Sequence, residues 1–285
     1  MSSKFKKIMG ICLSMVLAFS LALPVYAKQP DYEFDEQTGH LIIGKEIENY
    51  AISSIVSIPK EEIKSVTIRD GVTSIREGAF HGCTGLTSIS IPDGVKKIYN
   101  LAFCKCTSLK EVTIPDSVTE IGSGAFVFCT GLTSINVDTR NPKYKSIDGV
   151  LFSKDGTKLI QYPANKMATN YIIPDSVKEI DGSAFLGCTR LTSITIPDSV
   201  TKIGTFAFAG CTGLTSINIP ASVTEIGYEV FEGCTGLTSY SIDGVLFSND
   251  KTKLIKYSAG RKATNYIIPN SVTSIGEQAF CKCTS

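Results

Sequence analysis

Tryptophan is absent from this chain, and histidine occurs only twice, at His40 and His81. Neither histidine stands in a metal spacing such as H-E-x-x-H or beside a recognisable Ser, Cys or Asp partner, so both read as surface residues. The lack of Trp removes the largest ring on which a sugar could stack, which favours a protein over a glycan as partner. An excess of charge is missing too. The formal net charge is +1, and removing residues 1–27 takes Lys4, Lys6 and Lys7 but no acid, leaving 25 basic and 27 acidic residues. Such a balance gives no electrostatic reason to bind nucleic acid. Beyond one apolar run from Ile8 to about Leu23, no stretch is long and apolar enough to span a bilayer.

That run is flanked as an export signal is. The basic KFKK precedes it and LPVYAKQ follows it, with Val25 and Ala27 placed for cleavage between Ala27 and Lys28. Membrane contact is then confined to export. Cys12 lies inside the run rather than at its end, which argues against a lipid-anchored N-terminus. Export would bring the chain to a compartment where disulfides form. Without Cys12 nine cysteines remain, an odd number that cannot all pair within the chain.

What the chain has in abundance is one phrase, repeated. AFHGCTGLTSISI starts at Ala79, AFVFCTGLTSINV at Ala125, AFLGCTRLTSITI at Ala184 and AFAGCTGLTSINI at Ala207. Cys83, Cys106 and Cys129 are 23 residues apart, as are Cys188, Cys211 and Cys234; Cys283 is the seventh of the series. Each has a Phe three residues earlier, an Ile five before that and a Val three earlier still. A unit this short cannot bury its own apolar side, so successive coils must stack and share a core. The alternation in L-x-x-I-x-I-P is that of a short strand, closed by a Pro that cannot donate in a ladder. The limb V-x-x-I-G-x-x-A-F-x-x-C has mixed spacings. They imply a short extended piece, a turn at Gly, and one helical turn carrying Ala and Phe inward.

Two steps break the period, and both hold the same insert. SIDGVLFSKDGTKLIQYP runs from Ser146 and SIDGVLFSNDKTKLIKYS from Ser241, each predicting a β-hairpin. Residues 31 to about 63 follow neither pattern; YEFDEQTGHLIIG predicts a hairpin around Gly39 that covers the first coil. The domain reading is therefore a signal peptide at 1–27, a capping segment at 28–63, and a solenoid at 64–285 with hairpins near 146–163 and 241–258. The chain stops at CKCTS without the strand that follows every other ladder Cys, which predicts truncation at the C-terminus.

Units of the form LTSITIPDSVTKIGTFAFAGCT resemble the leucine-rich repeats of the BspA-like bacterial surface proteins, and the block SIDGVLFSKDGTKLIQYP recurs in that family. The resemblance covers roughly residues 31–285. It implies a leucine-rich-repeat solenoid: one parallel sheet of about nine short strands, with turns, short helical turns and hairpin inserts on the other limb. It also implies an exported protein, shown on the cell surface or secreted, linked with adhesion or host recognition, and no catalytic residues.

The residues themselves point the same way. The ladder cysteines read as small buried hydrophobes at a tight turn. Cys104 and Cys281, in the two FCKC motifs, read as free, partly exposed thiols, since no second ligand pair joins them for a metal. Asp93, Asp116, Asp175 and Asp198 follow the strand-ending Pro as turn residues rather than a calcium row. No enzyme, metal or cofactor is expected. What remains is the outward face of the strands: Ser88, Ser90, Glu111, Thr113, Ser134, Asn136, Ser193, Thr195, Ser216 and Asn218, with Asn170, Ile172, Asn265 and Ile267 after the hairpins. The face is short, polar and almost uncharged, so a flat partner could approach the backbone closely, as solenoids allow. The expected function is recognition or adhesion through this face. The alternative is a spacer that displays a further C-terminal domain.

Overall fold

The structure, a computed structural model, describes residues 32–44, 58–237, 239–242, 245–248, 252–257, 265–277 and 279–280. All lie in one compact unit, Asp31–Ser285. The expected signal peptide, Cys281, Cys283 and the final CKCTS fall outside the described residues. The unit is a solenoid of stacked coils. Each regular coil contributes a strand of up to four residues, the longer strand in most coils, to one side and a two-residue strand to another. The longer strands are Ser65–Ile68, Ser88–Ser90, Glu111–Ile114 and Ser134–Val137, then Asn170–Ile172, Ser193–Thr195, Asn218–Ile219 and Ser239–Ile242. They stack parallel with like positions in register, as in Glu111↔Ser134 and Asn170↔Ser193. Burial alternates along them, buried at Val112 and Ile114 and exposed at Glu111 and Thr113, as one-sided packing requires.

The second ladder adds to the single sheet expected. It comprises Ser74–Ile75, Lys97–Ile98 and Glu120–Ile121, then Lys158–Gln161, Glu179–Ile180, Lys202–Ile203 and Glu225–Ile226. Its Ile residues point into the core, and from Lys97 to Glu225 the preceding residues alternate Lys and Glu from coil to coil. Lys97–Glu120 at 3.0 Å, Lys158–Glu179 at 3.4 Å and Lys202–Glu225 at 3.8 Å result from that register.

After each short strand the chain makes successive turns, with Ala79 N–H bonded to Arg76 O, His81 N–H to Gly78 O and Cys83 N–H to Phe80 O. No helix forms among the described residues, where one helical turn per coil was expected. The residue before each Ala and the residue before each Cys take positive φ, for example Gly78 at 62° and Gly82 at 73°. A left-handed residue every few positions breaks a right-handed helix before it can propagate. Leu101, Phe206, Lys105 and Phe128 hold the same conformation without being Gly, at a cost of about 1–2 kcal/mol each. The freed backbone groups bond to the next coil instead, Phe80 N–H to Ala102 O at 2.8 Å and Phe185 N–H to Ala207 O at 2.8 Å.

The core is a set of like-on-like columns. Phe80, Phe103 and Phe126 stack at 5.2 and 5.4 Å, and Phe185, Phe208 and Phe231 at 5.1 and 5.8 Å. Four of the described ladder thiols donate to the carbonyl of the Phe one coil earlier, among them Cys106 to Phe80 at 3.2 Å, Cys129 to Phe103 at 3.0 Å and Cys211 to Phe185 at 3.1 Å, while Cys188 faces Tyr162 O at a longer 3.9 Å. The described cysteines are free and buried. Cys104 is among them, only 4% exposed, which corrects the expectation of a partly exposed thiol: the turn that carries Phe103 inward also closes over its neighbour.

The inserts are more than surface hairpins. In the first, Tyr144–Ile147, Val150–Ser153 and Lys158–Gln161 form an antiparallel meander, its first turn made by Asp148 and Gly149, both at positive φ. The third strand then joins the short-strand ladder, Leu159 beside Ile180. Tyr162 takes the place of the Phe, stacked on Phe185 at 5.2 Å. Tyr257 does the same for Phe280 at 5.3 Å in the second insert. Each insert therefore ends in a shortened coil. Val150, Leu151 and Phe152 are all fully buried; Leu151 packs with the core from Leu41 to Ile135, Val150 and Phe152 with the core from Leu159 to Ala279. That strand is a wall between two cores.

At the N-terminal side, Tyr32–Asp35 and His40–Ile43 pair antiparallel around Gly39, and His40–Ile43 lies parallel to Ser65–Ile68. Leu41 and Ile43 are fully buried there.

Candidate binding face

The outward residues of the longer strands come together on one side of the coils, but not as one uninterrupted strip. Ser88, Ser90, Glu111 and Thr113 are exposed and form a first patch. Ser134 and Asn136 are only half-exposed, a correction to their place on an open face. The Asp148–Gly149 turn folds over them: a Cβ on Gly149 would lie 2.7 Å from Ser134 Oγ. Glycine is needed at that close approach. Asn170, Ile172, Ser193, Thr195, Ser216 and Asn218 are exposed and form a second patch, with Ile172, Thr195 and Asn218 in one register row. Asn265 and Ile267 are exposed but sit in an irregular segment, not a strand, a second correction. In the first copy Asn170–Ile172 is held by the coil that follows, Ser193–Thr195; no described residues occupy that place beside 265–267.

Several of these polar groups are already engaged. Ser193 Oγ donates to Asn170 Oδ1 at 2.8 Å, Ser241 Oγ to Asn218 Oδ1 at 2.7 Å and Ser134 Oγ to Asn136 Oδ1 at 3.0 Å. Where a Thr opens a strand, it is structural. Thr87, Thr133 and Thr192 hydroxyls cap the carbonyl one coil back, at Lys64, Lys110 and Thr169.

The first patch contains a cleft. Ser88–Ser90 and Glu111–Ile114 belong to separate sheets, joined at their start by a long Lys110 N–H to Thr87 O bond of 3.4 Å. Where they part, a hollow of about 310 Å³ opens, lined by Ile89, Ser90, Thr113, Pro115, Asp93 and Asp138 among others. Arg140 neutralises part of its rim, 3.3 Å from Asp116 and 3.1 Å from Asp138. The Arg140 partner holds the Asp138 carboxyl below the usual carboxylate range. This loop is organised by Asn141, fully buried, whose amide donates to Pro115 O and Val118 O while its oxygen accepts from Lys143 and Tyr144 N–H. Sequence reading passed over Asn141, and the only signal was the ten-residue excess of the first insert around TRNPKYK.

His40 and His81 are half-buried rather than on the open surface. His40 Nδ1 lies 2.7 Å from Ser65 Oγ, a pairing set by the register of the capping strand and invisible in sequence. Asp35 does not extend the pair; its oxygens accept from Gln37 N–H and Thr38 Oγ. Burial and the cations of Lys60 and Lys105 push the His81 imidazole below its ordinary value.

The family description BspA type leucine rich repeat region matches residues 45–168 and 164–285, in six copies. A leucine-rich repeat protein from Eubacterium ventriosum is 24% identical, with a TM-score of 0.54 over 86% of this chain and 82% of its own. The pneumococcal vaccine antigen PcpA is 23% identical, with a TM-score of 0.58 over 77% of this chain and 64% of its own. A leucine-rich cell surface protein from Faecalibacterium prausnitzii is 31% identical, with a TM-score of 0.56 over 76% of this chain and 60% of its own. The chain thus spans less than two thirds of the latter two. No curated protein matches it.

Proposed function

The chain belongs to the BspA-type leucine-rich repeat family, and from that premise we propose that it is an exported, non-enzymatic recognition or adhesion protein that binds an extracellular protein through its longer-strand face. The observation that carries this reading is the face itself: two exposed patches of short side chains, one opening into the cleft beside Ser90 and Thr113. Short residues let a partner reach the backbone, and the cleft gives a side chain somewhere to insert. The description of the Faecalibacterium relative as a cell surface protein supports the location. No helix among the described residues is long and apolar enough to cross a membrane; export rests on the sequence before Lys28. N-terminal sequencing of the secreted chain should begin at Lys28.

The test of binding is capture. The full chain, immobilised, is offered host and bacterial surface extracts, and a captured protein is identified and titrated. Ser90→Arg and Thr195→Arg should each weaken that interaction while leaving the melting temperature unchanged. Affinity indifferent to both would remove the face from the interaction. A second reading, a spacer that displays another domain, is favoured by the hydroxyls that bond to their own neighbours across the face. It gains if no partner is captured.

A further inference from the structure

On the short-strand limb, the residue after the Ile is Gly in four of the described coils, Gly122, Gly204, Gly227 and Gly276, and Arg76 or Asp181 in two others, but in one it is an aromatic, Tyr99, 44% exposed. An exposed aromatic in a glycine position invites a reason. The next coil offers Gly122 beside it, where a Cβ would overlap the backbone of Tyr99 and Asn100. Gly122 thus packs closely against that backbone and adds no side chain beside the ring. Tyr144, from the first strand of the insert, closes the far side, held by Ile121 N–H donating to its hydroxyl at 2.8 Å. Between the two tyrosines lies a hollow of about 290 Å³, with Lys97, Asn100 and Glu120 around it. A second hollow of about 200 Å³ lies on the other side of Tyr99, lined by Ser74, Arg76 and Glu77.

The charges decide what class of ligand fits. Lys97 is paired with Glu120 at 3.0 Å, and Arg76 stands beside Glu77, so each hollow carries one charge of each sign. Neither attracts an ion of either sign by net field. Hydrogen-bonding capacity is nevertheless high. Asn100 Oδ1 accepts from Ser123 N–H at 2.9 Å, which orients the amide with its two hydrogens for another acceptor. An exposed tyrosine ring flanked on both sides by neutral, donor- and acceptor-rich hollows matches a chain of sugar rings: an apolar C–H face for the tyrosine, hydroxyl edges for the side chains around it.

We propose that Tyr99 and its two flanking hollows form a binding site for a neutral oligosaccharide, separate from the longer-strand face. The absence of Trp, which weighs against a glycan, is met here by Tyr99. One sugar ring stacks on Tyr99, and its neighbours reach Asn100 and the Lys97–Glu120 pair on one side and Arg76 and Glu77 on the other.

The experiment uses the full chain with maltopentaose, cellopentaose, mannopentaose and N-acetylchitopentaose as neutral probes and a heparin oligosaccharide as the charged one, by saturation-transfer NMR and calorimetry. At least one neutral pentasaccharide should bind. Tyr99→Ala should weaken it about tenfold, Tyr99→Phe by about threefold or less, since stacking is retained. Asn100→Asp keeps the acceptor for Ser123 and replaces the amide donors, so it too should weaken binding at an unchanged melting temperature. Thr195→Arg, on the longer-strand face, should leave sugar binding as it is, so the two surfaces fail or succeed separately. The proposal is overturned if none of the four neutral sugars binds, if binding ignores both Tyr99→Ala and Asn100→Asp, or if the heparin oligosaccharide is preferred.

Discussion

Phe208 stands in the middle of its column, fully buried between Phe185 and Phe231. Removing its ring leaves a void that two neighbouring coils line, so Phe208→Ala should cost about 3–5 kcal/mol and lower the thermal midpoint clearly. An unchanged midpoint would show that the columns do not support the fold. The cysteines beside these rings answer to pH. Burial pushes the Cys83 thiol from an ordinary value of 9.0 up to about 11. Its folded pKa is raised, so its contribution to stability is whole below pH 9 and is lost as pH rises toward 11. Thermal midpoints should therefore fall between pH 9 and pH 11, and less steeply in Cys83→Ala. Equal slopes for the two proteins would contradict the assignment.

At the scale of elements, the short-strand ladder is held by its Ile residues inside and its alternating charges outside. Lys202 lies 3.7 Å from Glu179 and 3.8 Å from Glu225. Lys202→Glu would set three carboxylates in successive register. The site is about half exposed, so solvent screens the repulsion and the loss should be about 1 kcal/mol or less. Adding salt should recover much of it, because exposed charges are screened beyond a Debye length; a salt-independent loss would point to packing instead. The same ladder shows where legibility ended. Lys or Glu stands before the Ile in most units, but that the two alternate across coils matters only once the coils are known to be parallel and in register. The helical turn expected around Ala and Phe failed for a local reason: Leu101, Lys105, Phe128 and Phe206 carry no glycine signal yet adopt positive φ.

For the molecule as a whole, the strand Val150–Ser153 divides the interior. A solenoid's stability is a sum over coils and their interfaces, so a weakened interface should be felt mainly by its own neighbours. In hydrogen exchange, Phe208→Ala should speed exchange through residues 158–237 more than through 63–135, and Phe103→Ala the reverse. Uniform acceleration by either would mean one core that unfolds as a unit. The same strand explains the broken face: the turn that leads into it crosses Ser134 and splits the outward row in two.

The sequence alone determined the repeat, its coils and the inward set of residues. Phe, Cys, Ile and Val recur at fixed offsets, and a 23-residue unit with one apolar side can bury it only against a copy of itself. It also placed Ser88, Thr113, Ser193 and Asn218 outward, because alternation along a strand has a period of two whatever the partner strand may be. The tertiary structure decided everything that depends on which coils become neighbours. Tyr162 standing for Phe, the wall at Leu151, the cover over Ser134 and the gap beside Tyr99 all arise where an insert meets a regular coil. No local pattern encodes them, since each depends on the distance between residues far apart in the chain, and that distance is fixed only when the coils have stacked.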